Sequence, residues 1–279
     1  MDSLDVHTLL QTPTVELHDV CCPGLPIEPT EDELTADLRL VFPYRGVFVR
    51  HVGDDQAVAE PNQVLFFNGG ERYRISHPVP GGDACLSLAI SEALLRELTP
   101  PALLRAGAGF VFAQQRLRID PRAQALVALL RHGTQRNIAE TLEAEGLALT
   151  LVMRALGPRT AHTPASTPAR RRLVDRVKVV LASDLARRWT LAEIATEVGH
   201  SPVYLTQVFQ QVEGLPLYRY QLRMRLARAL DLLGHYLDLT TLGLDLGFSS
   251  HSHFTSAFTQ AYGRSPSEFR QSVVRRSQH

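Results

Sequence analysis

Apolar positions change their period once along this chain, close to Ser91. Upstream they come in short runs, several of them alternating, broken by turn-forming residues. The runs predict strands over Val15–Val20, Leu38–Phe42, Gly46–Val52, Gln63–Asn68, Tyr73–Ser76 and Cys85–Ile90, which at this spacing indicates a sandwich or a barrel. Downstream the period is helical. Ser91–Leu98 reads as a capped helix, and Pro121–His132 and Ile138–Leu156 as a helical hairpin, with Pro121 in a favoured first-turn position. In the second of these, Ile138, Leu142, Leu149, Val152 and Leu156 form one apolar stripe. That stripe must be covered, either by the chain's own sheet or by the same helix of a second copy. The second is favoured, which makes these five the candidate dimerisation residues.

After the hairpin, residues 158–169 are rich in Pro, Ser and Thr and have no apolar period, as expected of a linker. It separates a first domain, residues 1–157, from a second, residues 170–279. The second domain contains a repeat. Leu191, Ile194, Val198, Gly199 and Ser201 recur as Leu239, Leu242, Leu246, Gly247 and Ser249 at an offset of 48. The match resumes at 49, with Leu205, Phe209 and Gly214 answered by Phe254, Phe258 and Gly263. Each copy is a short apolar-periodic helix, a Gly turn, a polar cap and a second helix, the pattern of a helix-turn-helix. Two such motifs in tandem point to a protein that reads double-stranded DNA.

If the second helix of each copy enters a groove, its outward residues are the candidate contacts. In the first copy these are Pro202, Val203, Tyr204, Thr206, Gln207 and Gln210. In the second they are Ser250, His251, Ser252, His253, Thr255, Ser256 and Thr259. These types can hydrogen-bond bases or phosphates, or touch a thymine methyl. A helix over Pro216–Leu233 joins the copies and carries Arg219, Arg223, Arg225 and Arg228; of these Arg219 is taken as a phosphate contact, and the others can equally form internal ion pairs.

Charge sharpens the division. The chain is neutral overall, but from Ala169 onward there are 15 Lys+Arg against 9 Asp+Glu, leaving 14 against 20 in the rest. A basic module beside an acidic one suits a polyanionic partner for the second only. No apolar run is long enough to span a membrane, the first residues lack a signal peptide's pattern, and three cysteines make a disulfide framework improbable. A cytoplasmic protein without a membrane partner is expected.

The second domain resembles the AraC/XylS family of transcription regulators. The resemblance rests on Ile194-Ala195, Val198-Gly199, Tyr204-Leu205, Phe209 and Gly214. It rests also on Gly247-Phe-Ser-Ser250, His253-Phe254, Phe258 and Gly263-Arg-Ser-Pro-Ser-Glu-Phe-Arg270. It implies an all-α, two-lobed domain of seven helices, attached to a sensing and dimerising domain. It further implies a regulator, more often an activator, with RNA polymerase as a possible partner. Departures from the family pattern include Gly243, where Ala is usual, and Thr259-Gln260, where a Lys pair is frequent.

The first domain looks like the cupin-like barrel that many relatives carry, so the expected class is α+β: a cupin-like β-barrel with a helical hairpin, then the helical domain. Alternation places Val49 with His51, and Tyr73 and Ile75 with His77; if these faces point inward they line a pocket for an unknown small-molecule effector. No cofactor, metal or catalysis is expected. Cupin enzymes hold metal with a His-x-His pair, a carboxylate and a later His, whereas His7, His18, His51 and His77 are scattered here. The alternatives are a metal-dependent cupin-type enzyme, or an effector-independent interaction barrel, fused to the DNA-reading module. Sequence alone names neither effector, operator, sign of regulation nor oligomeric state, nor whether Cys21, Cys22 or Cys85 senses redox or metal.

Overall fold

A computed structural model describes residues 4–24, 27–157 and 167–274. They divide into two compact units, one built from residues 4–157 and 271–274, the other from residues 167–270.

The first unit opens with strands β1 (Asp5–Gln11), β2 (Val15–Cys22), β3 (Glu33–Leu34), β4 (Arg39–Arg45), β5 (Phe48–Val52), β6 (Asp55–Ala59), β7 (Gln63–Phe67), β8 (Arg72–Ser76) and β9 (Asp83–Ile90). Helix α1 (Glu92–Leu98), a short 3-10 turn and strand β10 (Arg116–Arg118) follow, then α2 (Pro121–Gln135) and α3 (Thr141–Leu156). The strands form two antiparallel sheets rather than one closed ring. The larger runs β1-β2-β9-β4-β7-β10 and the smaller β3-β8-β5-β6. The expected barrel is therefore an open sandwich.

Alternation along the larger sheet explains its layers. Leu40, Phe42 and Tyr44 of β4 point to one face with Leu86, Leu88 and Ile90 of β9, where they pack with Leu130, Leu151, Val152 and Leu156 of the helices. Val41 and Cys85 point to the other face and meet Phe48, Ala59 and Phe67, with Tyr73 and Ile75 packed against them. Strands β9, β4 and β7 of the larger sheet are thus buried on both sides, and β7 is buried at every position.

Leu86, Leu88 and Ile90 share a face that receives the helical hairpin. This arrangement corrects the expectation for the apolar stripe of the hairpin. Of the dimerisation stripe, Val152 and Leu156 are 0% and 1% exposed in the subunit's own core, so no partner can reach them. Ile138 and Leu149 are half-buried, and Leu142 is 80% exposed.

The second unit is α4 (Pro168–Ser183), α5 (Leu191–Val198), α6 (Pro202–Glu213), α7 (Leu217–Leu232), α8 (Leu239–Asp245), α9 (His251–Tyr262) and the start of α10 (Pro266–Val274), whose last residues are counted with the first unit. Helices α4, α5 and α6 pack on one another, α7 reaches from α6 to α8, and α8 packs on α9. The first lobe buries Leu173, Val177, Ile194, Val198, Leu205 and Phe209. An aromatic chain fills the second: Phe254 lies 5.1 Å from Phe248 and 5.8 Å from Phe258, which lies 5.9 Å from Phe269.

Candidate nucleic-acid interface

Each half of the tandem repeat is built by caps. Thr190 and Glu193 form a reciprocal capping box at the start of α5: Thr190 Oγ1 accepts from the Glu193 amide, and Glu193 accepts from the Thr190 amide at 2.7 Å. The Thr190 hydroxyl, which donates to the carboxylate at 2.7 Å, together with the Thr190 amide and Arg187 at 2.7 Å, holds the Glu193 carboxyl down at about 2. Gly199 ends α5 in the left-handed conformation at φ 70. Ser201 then accepts from the Tyr204 amide and Pro202 occupies the first turn of α6. In the second copy Asp238 accepts from the Thr240 and Thr241 amides, Gly247 turns at φ 82, and Ser250 accepts from the His253 amide at 3.1 Å. Bonds from Thr241 and the two amides bring the Asp238 carboxyl down to about 2.

These caps fix which side of α6 and α9 faces the solvent. On α6, Leu205, Val208, Phe209 and Val212 are buried, while Pro202, Val203, Tyr204, Gln207 and Gln210 are exposed. Thr206 is half-buried, and its hydroxyl donates to the Pro202 carbonyl. On α9, Phe254 and Phe258 are buried, while Ser250, His251, Ser252, Ser256 and Thr259 are exposed. Thr255 and His253 are half-buried; His253 Nδ1 lies 3.0 Å from Ser249 Oγ, and its ring lies edge-on to Phe248. Every outward residue singled out from the sequence therefore sits on a solvent-facing or half-buried surface of its helix.

The arginines of α7 divide sharply. Arg225 is buried, and its guanidinium donates to the carbonyls of Leu185, Ala186, Arg187 and Gly247. It clamps the loop after α4 against the turn of the second repeat. Burial lowers its pKa, yet four carbonyl acceptors suit only the cation. Arg228 pairs with buried Asp231. Arg219 is exposed. Arg176 of α4, and Arg188 and Arg264 in loops, are exposed cations that the helical period alone does not single out. The Ser265-to-Arg270 segment has a structural meaning. Ser265 and Glu268 form a second capping box, and Arg270 donates to the carbonyls of Tyr236 and Leu237.

In the first unit the candidate effector residues fall on two surfaces. Register pairs Arg50 with Ile75, and Val49 with Ser76. Phe48 and Arg50 therefore share the inward face with Tyr73 and Ile75, while Val49 and His51 take the other. His51 Nε2 lies 2.8 Å from Ser76 Oγ on that outer face, and burial lowers its pKa. The inward space is occupied by Arg50 itself. It is 0% exposed, 4.0 Å from the Phe67 ring, paired with Glu71 at 2.7 Å and bonded to the Phe66 carbonyl. His77 lies past the end of β8, buried, beside Cys22 and Asp83. The five positions do not line one pocket. A cleft of about 510 Å³ lies elsewhere in this unit, lined among others by Thr12, Thr14, Glu16, Asp37, Arg96 and Phe110.

A family model described as a helix-turn-helix domain matches residues 169–272. The chain is 28% identical over 152 residues to the transcriptional activator RhaR of Klebsiella pneumoniae, covering 54% of each. It is 32% identical over 97 residues to the transcriptional regulator GadX of Escherichia coli, covering 34% of this chain and 35% of GadX. The match spans about half the length, or less, of these curated relatives. Among solved structures, a DNA-binding transcriptional dual regulator from Escherichia coli K-12 is 30% identical. That likeness covers 37% of this chain and 94% of that one, at a TM-score of 0.35.

Proposed function

We propose that the protein, whose residues 169–272 match a helix-turn-helix family model, is a sequence-specific DNA-binding transcription regulator of the AraC/XylS type, acting in the cytoplasm. The observation that carries this reading is the pair of capped helices α6 and α9. Each buries its apolar stripe and turns a polar face to solvent. Those two faces enter the major groove of double-stranded DNA. Gln207 and Gln210 on α6, and His251 and His253 on α9, are suited to base edges. The serine and threonine hydroxyls and Arg219 are suited to phosphates. Phosphate contact supplies most of the affinity and makes it salt-dependent. The function is binding rather than catalysis.

The first unit supplies the response. A small-molecule effector fits the cleft beside Thr12 and Phe110 better than the sandwich interior, which Arg50 and its aromatic neighbours fill. Such an effector acts only if it binds two arrangements of the protein unequally. Self-association uses the outer side of α3, where Leu142 and Met153 are 80% and 51% exposed. Activation through RNA polymerase is the outcome the resemblance favours.

The test is binding of the genomic site enriched by the tagged protein. Gln207→Ala combined with His253→Ala is expected to lower affinity for that site by about tenfold or more, since a good base contact contributes about 1–3 kcal/mol. Binding to random duplex should hardly change. Unaltered preference for the enriched site in the double variant would sink the assignment of α6 and α9 as the reading elements.

A further inference from the structure

We propose that Cys22, His77 and Asp83 form a binding site for a borderline-soft divalent cation of the zinc class, independent of DNA reading. The ends of three strands bring them together. Cys22 ends β2 and is paired across the ladder with Asp83, which begins β9. His77 follows the last residue of β8. Cys22 Sγ lies 3.3 Å from His77 Nε2, and His77 Nε2 lies 3.0 Å from Asp83 Oδ2. One ligand atom from each of the three lies within 4.8 Å of the others.

Those spacings suit a shared ion. Zinc bonds of about 2.3 Å to sulfur and about 2.0–2.2 Å to nitrogen or oxygen put neighbouring ligand atoms roughly 3.3–3.6 Å apart in a tetrahedron. The donor set, one thiolate, one imidazole and one carboxylate, is borderline in softness, as zinc is. It leaves one coordination position, and half-buried Cys22 gives access to it from solvent.

A second observation favours a cation at this place. Asp83 is 6% exposed, and its Oδ2 has no hydrogen-bond partner among the described residues. His77 Nε2 approaches it at ion-pair distance but not in hydrogen-bonding direction. A buried carboxylate oxygen in that state is costly unless a positive charge completes it. The backbone around it is close-packed. A Cβ on Gly82 would lie 2.4 Å from the Cys22 carbonyl oxygen, and one on Gly46 would lie 2.2 Å from that of Gly82, so the donors are held by the fold rather than by a loop.

The experiment is titration of the metal-free full-length protein with Co²⁺, followed by displacement with Zn²⁺. The expected result is a near-ultraviolet thiolate-to-cobalt band saturating at one equivalent and removed by Zn²⁺. Cys22→Ser should abolish the band, whereas Cys21→Ser and Cys85→Ser should retain it. Asp83→Asn should weaken Zn²⁺ binding by about 100-fold or more, since even loss of an outer-sphere partner costs about 10–100-fold. Should the variants fold poorly, alkylation of the wild-type protein mapped by mass spectrometry decides the matter: Zn²⁺ should protect Cys22 selectively. No thiolate band, a band that survives in Cys22→Ser, or Cys22 alkylation indifferent to Zn²⁺ would overturn the site and leave a plain His77–Asp83 ion pair.

Discussion

A Cβ at Gly247 would lie 2.1 Å from the carbonyl oxygen of Ala186, and the residue sits at φ +82. The carbonyl it would strike is one that Arg225 holds. Gly199, the equivalent position in the first repeat, has φ +70 but nothing within 4 Å of such a Cβ. Gly199→Ala is therefore expected to cost the left-handed strain alone, about 1–2 kcal/mol. Gly247→Ala should cost clearly more, because the backbone of two loops and the Arg225 clamp must shift; denaturant unfolding of both variants checks the order. Repetition in the sequence marked both glycines, but only packing separates them. Gly243 is similar. Its departure from the family's Ala matches a site where a Cβ would press on Phe254 Cβ at 3.0 Å.

Helix ends carry the pH dependence that can be derived. Glu193 and Asp238 both have folded pKa values depressed to about 2, below the ordinary 4.5 and 3.8. A depressed carboxyl contributes stability above its unfolded pKa and loses it as pH falls through the folded value. The starts of α5 and α8 are thus expected to be fully supported above about pH 5 and to weaken progressively toward pH 2, while Thr190→Ala should raise the Glu193 midpoint. Side-chain carboxyl titration by NMR reads both. A harsher test lies between α4 and α6, where fully buried Lys178 pairs with Glu213 at 2.7 Å. Lys178→Met should cost about 3–5 kcal/mol by leaving that carboxylate buried without its cation, and adding Glu213→Gln should return part of the loss. Strands were less legible than helices. Strand β6 is absent from the strands that apolar patterning predicts, because Asp55-Gln-Ala is polar and weakly β-forming. Strand β1 is largely exposed and lacks a clean alternation.

For the whole molecule the measurable signature is ionic. Binding to the target duplex should weaken linearly on a log–log plot as salt rises, with a slope of about 0.9 per neutralised phosphate. Arg219→Ala should reduce that slope by about one contact and leave base preference intact, whereas Arg225→Met should unfold the domain rather than alter the slope. Sedimentation of Leu142→Glu tests the outer side of α3. An unchanged oligomeric state would remove it as the place of self-association.

The tandem repeat, its glycines and its caps were legible because a helix-turn-helix is a local device: period, cap and turn all lie within about twenty residues. The outward faces of α6 and α9 followed from the same period. What register and layering decided was not local. A shift of one position exchanges the two faces of a strand, so Val49 and His51 part from Tyr73 and Ile75. A sheet covered by helices takes in Val152 and Leu156, which periodicity alone could not assign to one subunit or two. Cys22, His77 and Asp83 share no motif in the chain; their convergence exists only because an antiparallel ladder closes at Cys22 and Asp83 and β8 ends beside it.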